Sequence, residues 1–247
     1  KDMFNDNEFR EKINMSGVNS INWARIICQI VYYFYAVFKI DKQNISFSVP
    51  TGNFGDIFAG YVAKKMGLPI DKLIVATNEN DILQRAINTG EYKPGIVKPS
   101  LSPSMDIQIS SNFERLLFYI LGEDDEKVVS LMNDLKTKGF FKLDQQSLKI
   151  IKKDFCAEKI NDEETLAIIK NLNIESKFIL DPHTATAVGA AKKINNLSFH
   201  FSFKYIFIYM WCLHLTLILH ITTKSKTHNS KLLQQVRCCI GHTASIF

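Results

Sequence analysis

Between residues 45 and 90 the chain alternates strand-like and helix-like patterns, and this alternation limits the folds open to it. Residues 45–49 (ISFSV) read as a short strand. Residues 50–55 are turn-like. Residues 56–66 have helical spacing and stop at Gly67 and Pro69. Residues 73–77 (LIVAT) form a continuous apolar run of the kind found in buried parallel strands. Asn78 is a candidate cap for a helix through residue 87, closed by Gly90. Two strands joined by so long a crossover pair in parallel, with a right-handed connection. The body is therefore expected to be α/β.

The flanking segments read as follows. Residues 20–38 are long and apolar without Gly or Pro, which predicts a largely buried helix with Asn19 or Ser20 as its cap. Asn22, Arg25 and Gln29 interrupt the run and argue against a membrane span. Residues 112–120 predict a helix capped by Ser110 or Ser111. Residues 123–178 place charge against Leu, Ile and Phe at helical spacing, which predicts two or three amphipathic helices on the sheet surface. Residues 178–180 are apolar. Asp181-Pro182-His183-Thr184 and a helix of small residues over 185–193 follow.

Charge divides the chain. Of its 247 residues 46% are hydrophobic and 22% charged, a globular balance, and the net charge is +5. All 25 acidic residues lie at or before position 193. The first 193 residues are neutral overall, and the basic excess belongs to residues 194–247. A nucleic-acid-binding body loses its support. The five cysteines form no CxxC pair, so neither a zinc ribbon nor a disulfide framework is indicated. A reduced, cytoplasmic setting is expected. Lys1 stands where a start Met would be, and no secretory signal precedes it; the expectation is an incomplete gene product.

Thr51-Gly52-Asn53-Phe54-Gly55-Asp56 lies between a predicted strand and helix. Two glycines permit positive φ and close backbone approach, and the helix start offers free N–H groups. The loop is neither a Walker loop nor a dinucleotide fingerprint. It is either a phosphate cradle or only a turn. Three further clusters are Asn19–Asn22, residues 77–81, and residues 102–112 with Arg115. Each is either a ligand-facing group or a helix cap. Arg115 near a helix start suits a carboxylate or phosphate, or else a surface ion pair. His183 is a candidate base or a structural histidine. No metal-ligand spacing stands out.

At these residues the sequence resembles threonine synthase. The blocks are KDMFND (1–6), NSINWAR (19–25), PTGNFGD (50–56), ATNENDIL (76–83), SPSMDI (102–107), SSNFERLL (110–117) and LDPHTA (180–185), in family order. The resemblance implies a three-layer parallel-sheet fold of the tryptophan-synthase-β type (fold type II) and the cofactor pyridoxal 5'-phosphate. It implies a lyase that converts O-phospho-L-homoserine and water to L-threonine and phosphate, with the cofactor as electron sink. It implies that Gly52, Asn53, Phe54, Gly55 and Asp56 grip the cofactor phosphate. Asn19, Ser20, Asn22, Ser111, Asn112 and Arg115 are its substrate-side candidates, and a phosphorylated amino acid is the expected partner.

The resemblance covers residues 1–193, with a helical insertion about 123–178. It places the Schiff-base lysine in an F-K-D segment upstream of Lys1, so the chain as it stands is expected to be inactive. Residues 194–247 lie outside it. Residues 197–221 are long and apolar enough for a bilayer, but His200, Lys204, His214 and His220 interrupt them. They read as translated non-coding sequence rather than an anchor. Two alternatives stay open: a threonine-synthase-like phospho-lyase acting on other phosphorylated amino acids, and a catalytically dead, membrane-tethered binding protein.

Overall fold

The structure is a computed structural model that describes residues 7–13, 21–40, 45–194, 205–211 and 214–219. Its elements, in chain order, are α1 (Asn7–Lys12), α2 (Trp23–Ile40), β1 (Ile45–Pro50), α3 (Gly55–Lys65), β2 (Ile70–Thr77), α4 (Ile82–Thr89) and β3 (Glu91–Tyr92). Then come α5 (Phe113–Ile120), α6 (Asp125–Lys138), β4 (Phe141–Lys142), α7 (Gln145–Asp154), β5 (Phe155–Lys159), α8 (Asp162–Ser176), α9 (Pro182–Ile194), β6 (Tyr205–Trp211) and β7 (His214–Leu219). The main sheet has the order β5-β2-β1-β6-β7. All its pairs are parallel except β6 with β7.

Strand periodicity sets three layers. Phe47, Val49, Leu73, Val75, Phe155 and Ala157 point to one face and pack with α2, α3, α4 and α5. Ile74 and Ala76 point to the other and pack with α8 and α9. The small residues of α9 bring it close to the sheet. Buried Ser48 donates its hydroxyl to the Ala187 carbonyl at 2.7 Å. A Cβ on Gly189 would lie 2.6 Å from Ile168 Cδ1, so a larger residue there would require the Ile168 and Ile160 side chains to shift.

Four expectations meet a different structure. α2 is not largely buried: Ile26, Ile30, Tyr33 and Val37 face the core, while Ile27, Val31, Tyr35 and Phe38 are exposed among the described residues. Only one face of a helix can meet α3 and the sheet. Its proposed caps, Asn19 and Ser20, lie outside the described residues. Asn78 caps no helix. α4 begins four residues later, and Asn78 is drawn into a loop network described below. The α5 cap position is taken by Asn112, which makes no capping bond, rather than by Ser110 or Ser111. Residues 123–178 do hold three helices, but they also supply β5, a strand of the main sheet. Five residues with two charges are too short and polar to signal a buried strand. Their alternation places only Phe155 and Ala157 in the core.

The residues after position 194 also enter the sheet. β6 lies parallel beside β1, with Phe47 opposite Ile206, and β7 turns back antiparallel. Among the described residues no helix is long and apolar enough to cross a membrane.

Candidate functional site

The 50–56 loop leaves the carboxyl end of β1, where ligands of open α/β sheets gather. It is tied down from below. The Thr51 N–H donates to the Ala76 carbonyl at 2.8 Å and its hydroxyl to the Val49 carbonyl at 2.6 Å. Ser110 Oγ donates to the Gly52 carbonyl at 2.9 Å. Asn112 donates to the Asn53 carbonyl twice, from its backbone N–H at 3.1 Å and from Nδ2 at 3.0 Å. The carbonyls of the loop are thus turned into the protein.

Its amides are left over. Among the described residues no acceptor takes the N–H groups of Gly52, Asn53, Phe54, Gly55, Asp56 or Ile57; the first claimed is that of Phe58, by the Phe54 carbonyl at 3.1 Å. Six consecutive donors at the positive end of α3 suit an anion with several oxygens.

The glycines serve differently from expectation. Neither Gly52 nor Gly55 has positive φ; the left-handed residue is Phe54, at φ 62°. Its ring is 1% exposed and packs edge-on against Phe113 at 5.3 Å and near Phe155 at 5.8 Å, which holds the strained backbone in place. Gly52 is needed for space instead. A Cβ there would meet the Ser104 carbonyl at 2.7 Å, where the turn Pro103–Met105 crosses the loop.

Asp56 sits in the first turn of α3. Its Oδ1 is sealed from solvent without a hydrogen-bond partner. Burial pushes the carboxyl up to about 7, and Tyr33 pulls it partly back. The Tyr33 hydroxyl also donates to the Asp56 carbonyl at 3.0 Å.

The substrate-side candidates come together in part. Asn112 is buried beneath the loop as a buttress. Its Oδ1 accepts from Arg115 Nε at 3.0 Å. Arg115 Nη2 donates to the Ile21 carbonyl at 2.7 Å, and the guanidinium lies 5.3 Å from the Trp23 ring centre. Arg115 therefore links α5 to the start of α2. Ser111 and Arg115 line a recess of about 710 Å³ with Trp23, Phe58 and Tyr119. Asn22 accepts the Ala24 N–H at 2.9 Å and acts as a cap. Asn19 and Ser20 lie outside the described residues.

Residues 77–81 form a structural hub. Asn78 Nδ2 donates to Asp106 Oδ1 at 2.7 Å, Ser100 Oγ at 2.8 Å and Ser102 Oγ at 3.0 Å. Asn78 Oδ1 accepts the Asn80 N–H at 2.9 Å. This network fixes the 98–106 segment over the ends of β1 and β2. Sequence reasoning saw both halves but had no signal that they meet.

No family model matches the chain. It is 49% identical over 212 residues to threonine synthase of Saccharomyces cerevisiae, covering 78% of this chain and 41% of that protein. A crystal structure of PLP-bound threonine synthase from Brucella melitensis superposes with a TM-score of 0.75 at 52% identity, covering 78% of this chain and 42% of that one. Maize serine racemase, 11% identical, superposes at a TM-score of 0.51 over 78% of this chain and 51% of its own, a likeness of fold alone. The chain thus spans about two-fifths of the length of the threonine synthases it matches. By sequence and by its parallel-sheet fold of type II, the chain is a homologue of part of threonine synthase.

Proposed function

We propose that the chain binds pyridoxal 5'-phosphate through Gly52, Asn53, Phe54, Gly55 and Asp56, as part of an enzyme converting O-phospho-L-homoserine and water to L-threonine and phosphate. The unclaimed amides of Gly52 to Ile57 support the reading most directly. A phosphate monoester matches them in charge and number of acceptors. When bound, the cofactor supplies an electron sink for charge that develops on the substrate. The chain's own residues do the holding. The loop amides orient the phosphate, Gly52 keeps the turn of Ser104 close, and Phe54 anchors the loop to the core.

On the substrate side we place Asn19, Ser20, Asn22, Ser111, Asn112 and Arg115. The guanidinium of Arg115, steadied by Asn112, lies beside the recess and suits a carboxylate or phosphate of a phosphorylated amino acid. Residues 1–193 form this domain, with 123–178 as an insertion that also supplies β5, and 194–247 follow as a tail whose β6 and β7 extend the sheet. A cytoplasmic setting suits a small charged substrate.

The test compares ligands that differ only in the phosphate. Calorimetric titration of the chain is expected to give at least about tenfold tighter binding for pyridoxal phosphate than for pyridoxal. Gly52→Ala is expected to erase the difference. Equal binding of the two ligands by the wild-type chain overturns the phosphate-cradle reading. Threonine release is then assayed with the chain by itself and with a longer polypeptide that carries an F-K-D segment. Only the latter is expected to turn over, and faster on phosphohomoserine than on phosphothreonine.

A further inference from the structure

The turn Pro103–Met105, which crosses the phosphate-loop candidate at Gly52, also meets the start of α9. There Ser104 Oγ lies 2.5 Å from Nε2 of His183, 79 residues away in sequence. The other ring nitrogen, Nδ1, faces Asp181 Oδ1 at 3.4 Å. The Asp181 carboxylate is itself held: Oδ1 accepts the N–H groups of His183 at 3.0 Å and Thr184 at 3.2 Å, and Oδ2 accepts the Thr184 hydroxyl. Burial pushes this carboxyl up, but hydrogen bonds from His183 and Thr184 outweigh it and keep the group below its ordinary value. It is ionised at neutral pH. The His183 side chain is 9% exposed, whereas Ser104 is exposed among the described residues.

A fixed carboxylate opposite Nδ1 favours the tautomer with its proton on that nitrogen. Nε2 then accepts from the Ser104 hydroxyl. The base is buried, oriented from behind, and bonded to an accessible hydroxyl. Nucleophilic serines share this arrangement on unrelated folds. The backbone carbonyl of Ser104 abuts Gly52, which places the hydroxyl's own turn against the loop.

We propose that Ser104 is an activated nucleophile at the rim of the loop, with His183 as its base and Asp181 as the orienting carboxylate, and that it reacts with activated phosphoryl esters. In the step, Ser104 Oγ bonds to phosphorus and its proton passes to His183 Nε2. The bond from phosphorus to the leaving group breaks, and its electron pair departs with that group. The resulting imidazolium is balanced by Asp181.

A fluorophosphonate reports this chemistry directly, with fluoride as the leaving group. The full chain is treated at pH 7.5 (roughly the range in which a neutral imidazole serves as base), and labelled sites are read by mass spectrometry. Ser104 is expected to be phosphonylated well ahead of Ser100 and Ser111. Ser104→Ala removes the label, and His183→Asn slows it about 100-fold. Asp181→Asn slows it less and moves the pH midpoint. Circular dichroism checks that each variant is folded. Should His183→Asn unfold, the His183 ring protons are titrated by NMR in the wild type and in Ser104→Ala. A changed midpoint upholds the coupling, and identical midpoints refute it. Labelling of Ser104 no faster than of Ser100 and Ser111, or labelling indifferent to a folded His183→Asn, overturns the proposal. The readout needs neither pyridoxal phosphate nor an amino-acid substrate, so it fails or succeeds separately from the cofactor reading.

Discussion

Asp56→Asn removes a charge that the fold must bury. The carboxyl lies in the first turn of α3 with Oδ1 sealed and unpartnered. Burial pushes its pKa from 3.8 to about 7, with Tyr33 opposing. The folded protein therefore keeps this proton up to about pH 7, while the unfolded chain releases it near pH 4. Between those values the unfolded state binds fewer protons, so stability falls as pH rises, and the loss is complete above the folded pKa. The gap corresponds to about 4 kcal/mol at pH 8. Asp56→Asn has no such gap. The variant is expected to match the wild type near pH 4 and to exceed it progressively, by up to about 4 kcal/mol at pH 8. Urea unfolding followed by circular dichroism across that range measures the difference. Other carboxylates cancel in the comparison, including Asp81, Glu164 and Asp181, where burial pushes up but hydrogen bonds from Arg85, Lys193 and His183 outweigh it. A difference that does not vary with pH would refute the reasoning, since it would place the effect of the substitution outside the titration of this group.

Two further outcomes follow from buried groups. Asn78→Ala strands the partners of the hub, Ser100, Ser102 and Asp106, and is expected to cost about 3 kcal/mol in denaturant unfolding; a cost under about 1 kcal/mol means water replaces the amide freely. Burial pushes the Cys156 thiol up to about 11, with Lys72 pulling it partly back, whereas Cys28 is exposed. Iodoacetamide at about pH 8 is expected to modify Cys28 about 100-fold faster than Cys156, and comparable rates by mass spectrometry overturn that assignment.

The strands and helices of residues 45–90 were legible because their signals are local. The alternation of ISFSV and LIVAT, the helical spacing between them and the stop at Gly67 each depend on a few neighbouring residues. The loop at 51–56 was legible as a candidate for the same reason, and resemblance carried it further. Its mechanics were not. The positive φ fell on Phe54 because the rings of Phe113 and Phe155 hold that side chain, and Gly52 is glycine because a carbonyl 52 residues further along the chain presses against it. β5 was hidden for a related reason. Its five residues become a strand only because β2 supplies the edge for them to pair with.

Periodicity and turn chemistry determined that this body is α/β, that β1 and β2 run in parallel, and that a glycine-bearing loop joins the first of them to a helix. These properties are set by which side chains fall on which side of a local backbone. Tertiary structure alone decided that Ser104 meets His183, that Asn78 meets Asp106, and that Arg115 ties α5 to the start of α2. Those contacts join residues separated by 79, 28 and 94 positions. No periodic pattern reports them, because they exist only once the burial of both sheet faces has brought the loops at the carboxyl edge together.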